Sequence, residues 1–186
     1  MKILVLVKQV PAPGSVSFLP QLNRIAREGV ASLLNPLDGH ALEVAVEIAG
    51  PTGEVVAATM GPPQAREVLE DACARGASRG IHLVDPMFAG ADTLATARAF
   101  ASLVARERPD LVLGGRTTLD GATAQVVPQL AELAGLSLAT EAEAVTVSAG
   151  EVEVTRRNGA FRERVRAPLP AVVSVVAAPG APRAVP

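Results

Sequence analysis

A short apolar run, a Gly/Pro break and then a stretch of helical spacing recur along the first two thirds of the chain, and this cycle constrains the fold more than any other feature. Residues 2–7 (KILVLV) form an apolar run without alternation, the pattern of a central strand buried on both faces rather than of an edge strand. Pro11, Pro13 and Gly14 interrupt it, and 15–34 read as a loop or an excursion hairpin. From Pro36 the positions Leu37, Ala41, Leu42, Val44, Ala45 and Ile48 keep helical spacing up to Gly50-Pro51. A strand over 54–59, a break at Gly61-Pro62-Pro63, a helix from about 63 to 75 ending at Gly76, and a strand over 79–84 continue the cycle. Asp92 or Thr93 offers a cap for a long Ala-rich helix to about Arg108. A strand from Asp110 to Leu113 and a helix over roughly 121–134 follow. Strands alternating with helices imply a parallel sheet, and right-handed crossovers wind it into a doubly wound, three-layer α/β domain.

The last third changes period. Segments 144–148 and 151–155 meet at Ala149-Gly150, and 152–157 and 160–166 meet at Asn158-Gly159, a type I′ hairpin signal. This predicts an antiparallel β-meander appended to the α/β core. Residues 169–176 (LPAVVSVV) read as one more apolar strand. Pro179, Gly180, Pro182 and Pro186 then rule out regular structure. A length of 186 residues fits one domain, here 1–176, with an irregular Pro-rich tail over 177–186.

Composition narrows the function. The only aromatic residues are Phe18, Phe88, Phe100 and Phe161, so the core is aliphatic. A net charge of −2 with no Trp or Tyr leaves neither a broad basic field nor stacking platforms, which argues against nucleic-acid binding. The apolar run Ile3–Val7 is too short for a signal-peptide core or a membrane span, so no membrane insertion is expected and a cytoplasmic location is. Cys73 is the only cysteine, which excludes an internal disulfide and a cysteine-based metal cluster. Neither a Walker lysine motif, nor a G-x-S-x-G elbow, nor H-E-x-x-H is present. Asp38 and His40 lack a nucleophile and read as structural.

In an open parallel sheet the binding crevice lies beyond the carboxyl ends of the strands, where successive crossovers diverge. Three turns fall there: Asn35-Pro36-Leu37-Asp38, Met60-Gly61-Pro62-Pro63, and Gly114 through Gly121. In the third, paired glycines let backbone approach a ligand, Arg116 offers a charged fork, and Thr118 and Thr123 offer hydroxyls beside a helix N-terminus, together a place for a phosphate. The same loop reads equally as a glycine-softened turn with a solvated arginine. Asp120 has an alternative role as a helix cap, and Asn35 as a turn former. Arg156, Arg157, Arg162, Arg164 and Arg166 read as a solvated face of the meander or as a partner-docking surface.

KILVLVKQVP, LNPLDGHALEVAV, ATMGPPQAREVLEDACARGASRGIHLVD, DLVLGGRTTLDGATAQVVPQLAELAGL and LPAVVSV follow one another in the order of the landmarks of the electron-transfer flavoprotein beta (FixA) family, which the chain resembles through nearly its whole length. The resemblance implies a nucleotide-binding α/β domain that is not an enzyme alone. It pairs with an alpha subunit holding most of the FAD and buries a structural AMP. The resemblance further implies that electrons arrive from acyl-CoA or related dehydrogenases and leave to a quinone oxidoreductase. Carried onto matching positions, it assigns AMP contacts to Leu6; to Asn35, Pro36, Leu37 and Asp38; to Met60; and to Gly115, Arg116, Thr117, Thr118, Leu119, Asp120, Gly121, Ala122, Thr123, Ala124, Gln125 and Val126. Thr117-Thr118, Ala122 and Val127 depart from the family's usual Gln-Ala, acid and glycine. Pro182-Arg183 matches the start of the family's dehydrogenase-recognition loop, so the resemblance implies a member shortened at its C-terminal end. Two other readings stand beside this one: a stand-alone nucleotide-binding or regulatory protein of related fold, and a family variant that holds a second FAD in place of AMP to split electron pairs.

Overall fold

The computed structural model describes residues 1–13 and 31–176, together with the backbone of 18–19 and 24–25. The predicted tail over 177–186 lies outside the described residues. Among the described residues, twelve strands and four α-helices follow in chain order. The strands are β1 (Lys2–Leu6), β2 (Gln9–Pro11), β3 (Phe18–Leu19), β4 (Arg24–Ile25), β5 (Ser32–Leu34), β6 (Glu54–Met60), β7 (Arg79–Leu83), β8 (Leu111–Gly115), β9 (Ser137–Ser148), β10 (Glu151–Asn158), β11 (Phe161–Pro168) and β12 (Ala171–Val175). The helices are α1 (Pro36–Ala49), α2 (Arg66–Ala74), α3 (Thr93–Glu107) and α4 (Val126–Ala134). A 3₁₀ turn over Pro63–Ala65 leads into α2.

One eight-stranded sheet runs β11-β10-β9-β12-β8-β1-β6-β7. β1 lies at its centre, parallel to β6 on one side and to β8 on the other. The unbroken apolar run explains this position: Ile3, Leu4 and Val5 are all fully buried, as a strand covered on both faces requires. Alternate residues serve opposite layers. Ile3, Val5 and Val7 pack with Ala41, Leu42 and Ala45 of α1 and Val68 and Leu69 of α2. Leu4 and Leu6 pack with Ala97, Phe100 and Leu103 of α3 and Val127 and Leu130 of α4. The three-layer α/β architecture is therefore as the sequence predicts. Most of the loop or excursion hairpin predicted over 15–34 lies outside the described residues; within it β3 pairs with β4, and β5 with β2, both antiparallel.

Helix ends follow the local chemistry. Asp92 is the cap of α3, its Oδ1 accepting from Ala95 N–H at 2.8 Å. At the other end of α3, Glu107 accepts from Lys2 Nζ at 2.9 Å and Arg79 Nη2 at 2.6 Å, tying the helix to the amino ends of β1 and β7. Arg79 and then Lys2 hold the Glu107 carboxyl well below its ordinary range, at about 2.

Three expectations are corrected. The helix predicted over 121–134 begins at Val126. Ala122 and Ala124 take positive φ values of 49° and 56°, and Pro128 is tolerated only in a first turn, where its missing N–H is an orphan anyway. The strand predicted from 144 begins at Ser137. Its first half pairs in parallel with β12 and its second half antiparallel with β10, so the meander continues the main sheet. Finally, the second hairpin turns at Gly159-Ala160, because Asn158 pairs with Phe161. Positive φ there belongs to Gly159, so the turn is not type I′. Type I′ signs are found instead at the Ala149-Gly150 turn, where both residues have positive φ.

Candidate functional site

The topology reverses at β1. From it the chain moves outward to β6 and β7, then returns across to β8 on the opposite side. The crevice of such a sheet lies at the carboxyl ends of β1 and β8. In this chain those ends are joined by a network built from the first turn of α1 and the loop after β8.

Asp38 is the joint. It is 4 % exposed, with Oδ2 accepting from Lys8 N–H at 2.9 Å and Oδ1 from Gly115 N–H at 3.0 Å. One carboxylate therefore bridges the strand ends on either side of the switch point. Burial pushes its carboxyl up to about 7, against the opposing pull of Asn35, the two N–H donors and the Lys8 charge. Both oxygens serve backbone groups, so Asp38 and His40 form no relay.

Asn35 is 1 % exposed and works as a cross-link. Its Nδ2 donates to Thr117 O at 2.9 Å and its Oδ1 accepts from Leu119 N–H at 3.2 Å, while its own N–H donates to Lys8 O at 2.9 Å. It thus does more than form a turn. Asn35→Ala abolishes both side-chain bonds in a buried place and should cost about 2–3 kcal/mol of stability, read as a lower urea midpoint with an unchanged m-value.

The loop after β8 carries the remaining predicted residues. Asp120 does not cap a helix; its Oδ1 accepts from Lys8 Nζ at 2.8 Å. A methyl placed on Gly121 would stand 3.3 Å from Thr118 Oγ1 and 4.0 Å from Lys8 Nζ, so the missing side chain leaves a cradle between a hydroxyl and an ammonium. Left-handed Ala124 precedes right-handed Gln125, a sequence that turns successive N–H groups into one concavity suited to an anion. The N–H groups of Thr123, Ala124 and Gln125 meet no acceptor among the described residues. Thr93 Oγ1 donates to Gln125 Oε1 at 3.1 Å and ties the loop to α3.

The other predicted residues divide. Leu6 is buried at the end of β1 beside its β8 partner Gly114, while Pro36 is exposed and Leu37 half-buried at the start of α1. Met60 ends β6 at the same edge of the sheet, one strand beyond β1, and Val126 opens α4. Arg116 points its Nε to Glu141 Oε1 at 2.7 Å, so its fork is partly committed within the chain. Sequence reasoning missed three members of the network: Lys8, Glu141 and Ser174, whose buried Oγ accepts from Glu141 N–H at 2.9 Å. Lys8 stood in the quoted KQVP stretch, directly after the strand that points into the crevice.

On the meander, Arg156 pairs with Glu163, Arg157 and Arg162 with Glu143, and Arg166 with Glu153. Facing carboxylates thus neutralise most of the basic stretch, the behaviour of a solvated face.

The electron transfer flavoprotein domain model matches residues 23–185. The caffeyl-CoA reductase-Etf complex subunit CarD of Acetobacterium woodii is 40 % identical over 95 % of this chain and 68 % of its own length. The electron transfer flavoprotein subunit beta of Thermoanaerobacterium thermosaccharolyticum is 38 % identical over 98 % of this chain and 71 % of its own. FixA of Azorhizobium caulinodans is 37 % identical over 96 % of this chain and 66 % of its own. The chain belongs to the electron transfer flavoprotein family. The resemblance read from the sequence motifs is thereby confirmed, and the parallel sheet with its antiparallel extension is the α/β fold of a family beta subunit. Among the described residues of this family member, no helix is long and apolar enough to cross a membrane.

Proposed function

We propose that this chain is the beta subunit of a heterodimeric electron-transfer flavoprotein. It holds AMP as a structural group at the switch-point crevice and presents a wall to the FAD of an alpha subunit, working in the cytoplasm between dehydrogenases and a quinone oxidoreductase. The observation that carries the nucleotide part is the cradle at Gly121, flanked by Thr118 Oγ1 and Lys8 Nζ and followed by the N–H groups of 123–125, which meet no acceptor among the described residues. A phosphate fits that donor set, and AMP would be held there by the 115–126 loop with Asn35 to Asp38 behind it. The flavin is assigned to the partner subunit, and two depressions among the described residues are open surfaces that such a partner would cover. One is framed by Arg116, Glu141, Glu143 and Arg157, and the other runs from Met87 to Ala95. When bound, FAD supplies the electron-carrying chemistry; this chain binds, orients and excludes water. Met87, 89 % exposed, gives the second depression an apolar rim suited to a covering subunit.

The test is to purify the chain with a co-expressed alpha subunit, denature the product and identify released nucleotides by mass and absorbance. AMP and FAD in near-equal amounts from a one-to-one complex is the expected result. Two FADs per complex would replace the AMP reading with the electron-splitting variant. A colourless chain that holds a nucleotide and takes no partner would overturn the electron-transfer reading in favour of a stand-alone binder.

A further inference from the structure

We propose that Lys8 reads the charge of the nucleotide's phosphate, and so sets the preference of this crevice for a nucleoside monophosphate over the uncharged nucleoside. The inference rests on the nucleotide reading above and deepens it. Lys8 follows β1 at the switch point, and its backbone is pinned on both sides, with its N–H held by Asp38 and its carbonyl accepting from Asn35 N–H. The side chain therefore leaves the strand from a fixed base. It ends 2.8 Å from Asp120 Oδ1 and 4.0 Å from the place a methyl on Gly121 would occupy.

Two members of the pair differ in a telling way. The Asp120 side chain is 4 % exposed, whereas that of Lys8 is 41 % exposed. The buried carboxylate takes one of the ammonium's three donors and fixes its position 4.0 Å from the Gly121 methyl place, leaving further donors for a ligand in the cradle. Arg116, the cation of the loop itself, is engaged by Glu141. Among the described residues, Lys8 is thus a cation whose charged head lies beside the cradle. The Lys8–Asp120 pair is neutral as a unit, so the cradle attracts a single phosphate through the ammonium and neighbouring amides without a surplus field for a polyphosphate.

The experiment is equilibrium dialysis of the full chain, stripped of nucleotide, against AMP and against adenosine, with wild type, Lys8→Gln and the double variant Lys8→Gln/Asp120→Asn. The double variant keeps the fold readable, because it leaves no buried carboxylate unpaired. Wild type should bind AMP more tightly than adenosine by about 10-fold or more, the worth of a charge-assisted contact. The double variant should lose about 10-fold in AMP affinity, with adenosine affinity changed by less than about threefold. A double variant that retains the wild-type ratio overturns the proposal, as does one that loses both ligands equally, the behaviour of a merely structural residue. Equal binding of AMP and adenosine by wild type also overturns it. Wild type that binds neither ligand sinks the nucleotide reading itself, a result distinct from all of these.

Discussion

Gly115→Ala should lower the stability of the chain by roughly 3 kcal/mol, the largest effect expected of any single-methyl addition near the crevice. Gly115 ends β8, and its open side faces the first turn of α1. A methyl there would stand 2.8 Å from both the carbonyl carbon and Cβ of Leu37 and would press against Asp38 Oδ1. None of these can yield cheaply. The Leu37 backbone lies in the first turn of α1, whose helical bonds fix it, and Asp38 is held by two N–H groups. Relief requires α1 to move off the sheet, which breaks the Asp38 bridge and the Asn35 cross-link together. Gly121→Ala is the matched control. Its nearest neighbour is the Thr118 hydroxyl at 3.3 Å, the end of a side chain able to rotate, so its folding cost should stay below about 1 kcal/mol. Urea unfolding of both variants decides the matter. Equal midpoints for the two would show that α1 does not pack against β8 as described.

How much of this could be read in the sequence depends on which force set each feature. The βα cycle was legible because burial on two faces demands continuous apolar runs, and Ile3–Leu6 and Val55–Ala58 comply. Positions at the crevice were legible for the same topological reason: a switch point follows from strand order, and the turns after β1 and β8 had to meet there. What failed were places where one residue breaks a period. In β9 the buried positions Ala139 and Ala142 are three apart, because Glu141 adopts a positive φ of 61° and bulges out opposite Ser174. Period-two reading hides such a strand. In the loop before α4, Ala122 and Ala124 occupy left-handed backbone that alanine ordinarily avoids, a conformation that tertiary context imposes. Pro128, by contrast, carried the correct helix start in the sequence itself. The partners of Asn35 and Asp120 were not legible at all, since Thr117 O and Lys8 Nζ reach them across the sheet and not along the chain.

Asp38 should make the stability of this chain fall as the pH rises from about 4 to about 7. The folded-state value of about 7 lies above the ordinary 3.8. Between those limits the folded chain keeps a proton that the unfolded chain has released, so each step upward in pH favours unfolding, and above about 7 the effect is constant. Glu107, held at about 2, acts with the opposite sign in a different window, because its contribution disappears as pH falls through 4.5 toward 2. The two are therefore separable. Asp38→Asn isolates the first: a protonated carboxyl and an amide each leave one of the two facing N–H groups poorly matched, so variant and wild type should be similar at pH 4.5. As the wild-type carboxyl ionises in its buried place beside Asn35 and Lys8, the variant should become the more stable, by about 3 kcal/mol at pH 7.5. Urea midpoints across pH 4–8 measure the gap. A wild type that instead gains on the variant as pH rises would mean that the N–H groups of Lys8 and Gly115, with the Lys8 ammonium, outweigh burial and hold Asp38 ionised. The joint at the switch point would then be an anion that any bound phosphate must face.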